Sequence, residues 1–383
     1  MTTPSPRPIR LHLDAEGLAA GLSAMPTGAT RAIALVPEAE GPRLPALQAA
    51  AAAAGIELSG AIFPALIDEG AFSTEGAWIL PLPAEAEVHL LFGLDEAPDA
   101  AAAQIAAVVD HRLAAAGGTD AAPMLLLFFD AMLPHIASTL DALYQLIADG
   151  AALTGVNAGS ERFVPTPCLF GPGVVGDQGA LVVLLPPGQR PALAHGFSPP
   201  ARGRVATATQ ANRVLSIDWR PAFPVYQELV AANHGVTLTR DNFYTYACKF
   251  PLGILRAAGD LVLRFPVALD EDNGLVCIGE IPPSSVLVLV TGTPVDHLGC
   301  IETLRAVSFR PTEGAAPPHL LSFYCAGRRL HHGGRANAEL EALRADSACS
   351  AGALSLGEIG PLRPGGYPLF HNGAIMSGAW PWG

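Results

Sequence analysis

The stretch that decides the fold is CLFGPGVVGDQGALVVLL, residues 168–185. A short apolar segment, a turn rich in glycine and proline, and a second apolar run predict a tight hairpin followed by a buried strand. The run PLFHNGAI, residues 368–375, has the same character. Identical residues lie 200 positions apart in the two stretches: Leu169 and Leu369, Phe170 and Phe370, Gly173 and Gly373. The sequence therefore predicts one supersecondary unit that occurs twice.

The flanking sequence supports this duplication. Residues 88–186 and 286–383 show the same order of strand, helix, strand, helix and Gly-rich turns. Strands are expected at 88–92 and 124–129 in the first copy, and at 286–290 and 320–324 in the second. Residues 31–82 look like a further partial copy, with a strand at 32–36 and a helix at 46–54.

The stretch 181–282 differs, because its short strands around a single helix favour antiparallel pairing. A Pro/Gly-rich segment at 186–203 is the natural boundary. We therefore predict an α/β fold of the mixed α+β type: two related layered modules with largely antiparallel or mixed sheets flanked by helices. The modules are expected at residues 1–200 and 201–383.

Composition excludes several classes of function. The chain has 22 Lys and Arg against 35 Asp and Glu, a net charge of −13, which repels nucleic acid and anionic membrane surfaces. No apolar run reaches the ~20 residues that cross a bilayer. The six cysteines form no CxxC pair and are expected to be reduced. These features predict a soluble cytoplasmic protein with neither a nucleic acid nor a membrane as partner.

Familiar catalytic and nucleotide-binding motifs are missing. Residues 171–176 match GxGxxG, but a strand-like run follows instead of a helix, so a hairpin turn is the better interpretation. The chain has no GxxxxGK[ST], HExxH or GxSxG. The carboxylates at 270–272 precede Asn273 and Gly274 and indicate a solvated hairpin turn.

The histidines are more informative. His331 and His332 adjoin two glycines and are expected in an exposed loop. His371 lies in an otherwise apolar terminal segment, and Gly171 occupies the matching position of the other copy. Imidazole can ligate a metal or haem iron or carry a proton, whereas the alternative is a hydrogen-bonded histidine that caps a turn. His195 poses the same choice.

Four segments together resemble the FIST sensory domains (F-box and intracellular signal transduction proteins). One of them, the terminal element made up of residues 357–361 and 370–372, resembles the end of that family. Residues 216–226 resemble its DGxPAxxxY segment, 250–254 its PLGI segment, and 325–328 its CxGR segment. The chain departs from the family at Asp218 and Trp219, where a DG pair is usual, and in its first hundred residues.

The resemblance implies FIST N-like and FIST C-like modules that bind a small molecule, either haem with nitric oxide or an amino-acid-like metabolite. It further implies signalling to a separate histidine kinase or another signalling protein, or self-association into a homodimer. The expected ligand-binding residues are Cys325, Arg328, Glu358, His371 and Asn372. For haem, His371 would be the axial metal ligand and His195 the second choice.

Two alternatives stay open at this point. Arg328 could bind a ligand carboxylate or propionate, since its guanidinium fork suits planar anions, or it could form a structural tie to Glu358. The second alternative is an enzyme for acyl transfer or hydrolysis, with Cys325 as nucleophile and His371 as base. A cysteine at the end of an apolar strand is otherwise a core residue.

Overall fold

The computed structural model describes residues 7–115, 121–200, 202–256, 259–290, 297–308 and 317–381. Within these ranges one strand–helix–strand unit occurs three times, and a mainly β insertion interrupts the third copy. Helices account for 30% and strands for 35% of the structure, which confirms the mixed α+β class.

The first unit is the partial copy that the sequence indicated. Its first helix begins after Asp14, whose side chain accepts a hydrogen bond of 2.7 Å from the Gly17 backbone. A 3₁₀ turn at Glu38–Arg43 precedes the second helix. The elements are β1 (Ile9–Leu11), α1 (Ala15–Ser23), β2 (Arg31–Pro37), α2 (Leu44–Ala53), β3 (Glu57–Phe63), β4 (Leu66–Asp68), β5 (Ala71–Ser73) and β6 (Ala77–Pro81).

The second unit repeats this order with longer helices. Its helices follow the strands predicted at 88–92 and 124–129, in the order that the sequence indicated. The elements are β7 (Glu87–Phe92), α3 (Pro98–Ala115), β8 (Met124–Asp130), α4 (Ile136–Ile147), β9 (Ala152–Ala158), β10 (Leu169–Gly171), β11 (Val174–Gly176) and β12 (Gly179–Leu185).

The third unit begins with β13 (Ala192–Ala194) and is then interrupted by the insertion. The insertion comprises β14 (Arg204–Gln210), β15 (Arg213–Ile217), β16 (Arg220–Pro221), α5 (Ala222–His234), α6 (Phe243–Ala247), β17 (Leu252–Leu255), β18 (Leu261–Arg264), β19 (Pro266–Leu269), β20 (Leu275–Cys277) and β21 (Val286–Leu289). The unit resumes with α7 (His297–Ser308), β22 (His319–Cys325), α8 (Ala326–His332), α9 (Ala336–Arg344), β23 (Cys349–Ser355), β24 (Glu358–Gly360), β25 (Leu369–His371) and β26 (Ile375–Trp380).

The three units share one pattern of strand pairing. A central pair of strands is parallel in each unit: β2 with β3, β8 with β9, and β22 with β23. The last strand of the unit pairs antiparallel with the first strand of that pair. An edge strand, β1, β7 or β13, then completes that side of the sheet. The structure thus confirms the repeated unit and makes the partial copy a complete one. The strand predicted at 286–290 as the start of the last copy is wrong in its place, because β21 belongs to the insertion, where it pairs with β14 and β17, and β13 is the edge strand of the third unit.

Each unit contributes a β-hairpin to the sheet of another unit. The β4–β5 hairpin of the first unit pairs with β23 of the third. The β10–β11 hairpin of the second unit pairs with β3, and the β24–β25 hairpin of the third pairs with β9. This cyclic exchange places strands from both sides of residue 200 in common sheets. The division into modules at residues 200 and 201 stays a prediction.

One glycine recurs at the fourth position of the second parallel strand. A Cβ at this position would overlap the carbonyl oxygen of the neighbouring strand, so only glycine allows the two strands to approach. The pairs of glycine and carbonyl are Gly60 with Ala34, Gly155 with Leu127, and Gly352 with Ser322.

The three units meet in one apolar core. Phe63, Phe128 and Phe323 come from different units, and their ring centroids are 5.8 to 6.3 Å apart. All three side chains are fully buried. Aromatic pairs at such distances stabilise a core beyond the burial of their area. The insertion has a separate core around Tyr226, and its strands pair antiparallel, as the sequence predicted.

The residue-level alignment of the two copies is wrong by one strand. An offset of 200 matches β10 with β25, but β10 is the first strand of its hairpin and β25 is the second. The pairing instead relates β10 to β24 and β11 to β25, so His371 corresponds to Gly176 rather than to Gly171. The two hairpin loops differ greatly in length, and short Leu-Phe segments fit either strand of a buried hairpin.

No helix in the described ranges is long and apolar enough to span a membrane.

Candidate functional site

The strand pairing reveals where the third unit differs from the other two. At the end of the first parallel strand stand Pro37, Asp130 and Cys325. The exchanged hairpin begins with a residue that pairs directly with one on its second strand. These pairs are Leu66 with Ser73 in the first unit, Leu169 with Gly176 in the second, and Glu358 with His371 in the third. Only the third unit combines a thiol, a carboxyl and an imidazole at these positions. We call Cys325, Glu358 and His371 the polar cluster.

Glu358 is fully buried where the other units carry a buried leucine. Its carboxyl accepts hydrogen bonds from the Ser355 hydroxyl at 2.5 Å and from the Ala374 backbone at 3.3 Å. The Cys325 thiol is also hydrogen-bonded to it. Burial raises the pKa of Glu358, because the charged form loses its hydration, and these hydrogen bonds offset only part of the shift. This carboxyl therefore keeps its proton to a higher pH than an exposed glutamate does.

Cys325 ends β22 at the point where α8 begins. Its Sγ accepts a hydrogen bond of 3.0 Å from the Gly373 backbone, and the amides of Gly327 and Arg328 also approach it. Burial raises the pKa of Cys325, and the neighbouring Glu358 raises it further. A catalytic thiol needs a lowered pKa, so this geometry does not support Cys325 as a nucleophile.

His371 lies on β25 and is fully buried. Its Nε2 is 3.1 Å from the Gly360 carbonyl oxygen, while its buried Nδ1 has no hydrogen-bond partner. Burial lowers the pKa of His371 to about 3, and the nearby His195 and Arg264 add to the shift. The ring is therefore neutral, with Nε2 as donor and a bare Nδ1. No hydrogen bond joins it to Cys325 in the described part of the chain.

His195 lies close to His371 and has both ring nitrogens engaged. Nε2 is 3.0 Å from the Leu261 carbonyl oxygen, and Nδ1 accepts a hydrogen bond of 3.0 Å from the Phe197 backbone. Burial lowers the pKa of His195 to about 4. The ring is a satisfied structural histidine in this arrangement, with no nitrogen free for a metal.

Arg328 does not pair with Glu358, so the structural tie that was one of its two alternatives is wrong. Its guanidinium forms a bidentate ion pair with Glu339 on α9, at 2.8 and 2.6 Å. It also donates to the carbonyl oxygens of His195 at 2.6 Å and Gly373 at 3.1 Å. Arg328 is 1% exposed, and its fork is occupied by these partners. It therefore ties α8 and α9 to the residue that follows β13 and to the β25–β26 turn.

Asn372 completes the predicted set of ligand-binding residues. With its amide nitrogen facing the insertion, the side chain donates to the carbonyl oxygens of Ile278 at 2.8 Å and Leu263 at 3.3 Å. The structure thus brings all the predicted residues together around the start of β26. Their binding roles stay predictions, because most of their polar atoms already contact the protein.

Sequence reasoning missed Glu339 and misplaced His332. Glu339 is 2% exposed and also accepts a hydrogen bond of 2.6 Å from the Tyr324 hydroxyl. It lies on the buried face of α9 beside Leu340 and Leu343, a helical pattern that could have revealed it. His331 and His332 belong to α8, and His332 is buried near Glu339, so the expected exposed loop is wrong.

A cavity of about 550 Å³ opens beside the polar cluster. We call it the junction pocket, because it lies between the loop 161–163 of the second unit, the insertion, and the start of α8. Phe265, Ile278 and Phe163 give it mainly apolar walls, and Ala326 and Gly327, which follow Cys325, form part of its lining. Its volume falls within the range of small-molecule sites.

The residues present do not fit a haem group ligated by His371 or His195. Neither histidine lines the junction pocket, and both rings are more than 90% buried. The described residues contain no group of three metal-ligating side chains.

Comparison with known proteins gives two matches to family models. The FIST N domain model matches residues 33–220, and the FIST C domain model matches residues 222–361. No curated protein matches the chain. Cys325, Arg328 and Glu358 lie inside the matched range, whereas His371 and Asn372 lie beyond it. FIST domains are associated with sensing in signal transduction. The chain therefore belongs to the FIST family.

Proposed function

We propose that this protein is a sensor that binds a small, largely apolar molecule in the junction pocket and reports its occupancy to a separate signalling protein. The observation that carries the proposal is the pocket itself, which is built from both family domains. A ligand there contacts both domains and favours one arrangement of them.

The lining of the pocket defines the class of ligand. The side chains of Phe265, Tyr244 and Val267 offer apolar and aromatic surface. The charged groups Glu161 and Arg162 also line it, and both are engaged in ion pairs. A molecule with a flat apolar body and few charges suits these walls better than a zwitterionic metabolite, whose charges would lose hydration.

The polar cluster lies directly behind the lining. Gly327 is in contact range of the Phe265 ring, so a ligand that moves this ring acts on the start of α8. The next residue, Arg328, holds His195, Gly373 and Glu339 together. These contacts give a continuous route from the pocket to α9. The receiver, a histidine kinase or another signalling protein, and self-association into a homodimer belong to the same proposal.

Two cysteines allow a direct test. Cys248 lines the pocket, while Cys349 lies outside it, and both are half-buried free thiols. Burial raises the pKa of both, so alkylation is measured at mildly alkaline pH with N-ethylmaleimide and mass spectrometry. The probe is 8-anilinonaphthalene-1-sulfonate, a fluorescent binder of apolar pockets. We expect it to slow alkylation of Cys248 about tenfold and to leave Cys349 unchanged.

A matched pair of variants locates the probe. Thr245 lines the pocket and is exposed, so Thr245→Trp should fill the cavity and weaken probe binding about tenfold. Thr237→Trp makes the same substitution on an exposed residue outside the pocket and should bind the probe normally. Equal probe affinity in both variants, or equal protection of both cysteines, would contradict the proposal.

A further inference from the structure

A second cavity, of about 330 Å³, lies between the first and second units. We call it the N-terminal pocket. Ile62, Pro42 and Pro167 contribute to its mainly apolar walls, and Ser160 and Glu38 supply the polar groups. The loop 159–163 separates the two cavities, since Gly159 and Ser160 line the N-terminal pocket while residues 161–163 line the junction pocket.

The carboxylate of Glu38 is held in place at this pocket. One oxygen accepts a hydrogen bond of 2.9 Å from the Ser160 hydroxyl, and Ser160 is 5% exposed. The other oxygen accepts a hydrogen bond of 2.6 Å from Arg162, whose side chain is 70% exposed. A carboxylate has about four acceptor positions, so Glu38 can accept further donors. Exposed ion pairs are weak, so Arg162 can be displaced.

We propose that the N-terminal pocket binds a small primary amine with an apolar body. The ammonium group takes the place of Arg162 at Glu38, and the apolar body lies against Ile62 and the prolines. The volume lies at the lower end of the range for ligand sites, which suits a molecule of roughly one ring.

Binding of the amine also changes the junction pocket, and this part of the inference rests on the proposed function. Arg162 lines the junction pocket, and displacing it from Glu38 releases one side of the shared loop. The other side stays fixed by the ion pair of Glu161 with Arg329 at 2.6 Å. An amine in the N-terminal pocket therefore alters the affinity of the junction pocket for its ligand. By linkage, a ligand in the junction pocket alters the affinity of the N-terminal pocket for the amine by the same factor.

Two isoleucines report on the pockets separately, because Ile62 lines the N-terminal pocket and Ile278 the junction pocket. The full chain is labelled with ¹³C at the isoleucine δ1 methyl groups and titrated with benzylamine. We expect saturable shifts of the Ile62 signal, and weaker binding of benzyl alcohol, which lacks the charge. Absence of a saturable Ile62 shift with benzylamine would overturn the proposal.

Two matched pairs of variants test whether benzylamine binds in the N-terminal pocket. Glu38→Gln should weaken benzylamine binding about tenfold, while Glu57→Gln, which removes an exposed carboxylate outside the pocket, should not. Val174 and Val175 are both 42% exposed on β11, but only Val175 lines the pocket. Val175→Trp should therefore block binding, and Val174→Trp should not. Equal binding by the two members of either pair would overturn the site, and a melting curve confirms that each variant is folded.

The coupling is tested with the fluorescent probe of the junction pocket. Saturating benzylamine should change the probe's affinity in the wild type and not in Val175→Trp. Unchanged probe affinity, together with a normal Ile62 titration, would overturn the coupling and leave the amine site standing. Failure of the probe to bind at all would count against the proposed function, whereas the Ile62 titration would still decide the amine site.

Discussion

Glu358 and His371 face each other across the β24–β25 hairpin, as directly paired residues of two buried strands. The equivalent pairs are Leu66 with Ser73 in the first unit and Leu169 with Gly176 in the second. A leucine opposite a serine or a glycine suffices to build this hairpin twice in the same chain. The fold alone therefore does not require a carboxyl and an imidazole at this position of the third unit.

Replacing Glu358 should change how stability depends on pH. Burial raises the pKa of Glu358, so above the ordinary titration range of a carboxyl the folded protein still holds a proton that the unfolded chain has released. Stability therefore falls as pH rises, by up to about 1.4 kcal/mol per pH unit. In Glu358→Gln this fall should disappear. The measurement is the free energy of unfolding in urea at several pH values from 6.5 upward, taken as the difference between wild type and variant, so that the histidine titration that both proteins share cancels.

Glu57→Gln is the control for this experiment, because its carboxylate is exposed and paired with Arg31. It should keep the pH dependence of the wild type. A wild-type slope in Glu358→Gln would mean that the buried carboxyl does not titrate in this range.

His371 should make the protein less stable as the pH falls below 6.5, whereas Glu358 makes it less stable as the pH rises. Burial lowers the pKa of His371 to about 3, so below pH 6.5 the unfolded chain binds a proton that the folded protein does not. Stability is thus lost as pH falls, by up to about 1.4 kcal/mol per unit for this one group. His371→Ser, which introduces the residue of the first unit, should show a smaller loss between pH 6.5 and 5. His195 still titrates, so part of the slope should persist.

The haem prediction has a spectroscopic test. Since His371 lies outside the junction pocket and is fully buried, we expect the absorption spectrum of haem added to the protein to be identical in wild type and His371→Ala. A shifted or lost haem absorption band in His371→Ala would show that the ring does reach the iron and that the site rearranges on binding.

Much of the fold could be predicted because hydrophobic periodicity is local. The strand expected at 124–129 is Met124–Asp130, and the helix expected at 46–54 is Leu44–Ala53. The exchange of hairpins could not be predicted, since any buried hairpin has the same pattern whichever sheet receives it. That ambiguity also produced the wrong partner for His371, whose equivalent depends on hairpin order rather than on sequence identity.

The sequence could predict which residues belong to the site, but not which of them contact each other. Cys325, Glu358 and His371 could be found because polar residues are conspicuous in apolar segments. The partner of Arg328 could not, because Glu339 lies on a helix whose rotation decides which carboxylate points inward. The two pockets could not be predicted from the sequence, because the residues that line each of them come from separate units and form no pattern along the chain.

Arg328 should be essential for stability. Arg328→Met removes the cation bonded to both oxygens of Glu339 and leaves the carbonyls of His195 and Gly373 without this donor. Breaking a buried ion pair on one side costs about 3–5 kcal/mol. The double variant Arg328→Met with Glu339→Leu should lose less than Arg328→Met alone, because no buried charge remains unpaired. Urea unfolding measures both, and a double variant that is less stable than Arg328→Met would contradict this reasoning.

The glycine that recurs in the second parallel strand of each unit allows a test of how closely the two parallel strands approach. A Cβ at Gly155 overlaps the Leu127 carbonyl oxygen on the adjacent parallel strand, and backbone atoms there cannot move aside without separating β8 from β9. Overpacking of this kind costs about 1–3 kcal/mol or more, so Gly155→Ala should lower the urea midpoint clearly. Gly41→Ala is the matched control, because nothing lies within 4 Å of its Cβ and its φ is not in the left-handed region. If both variants unfold at the same urea concentration, the strands are not held at this spacing.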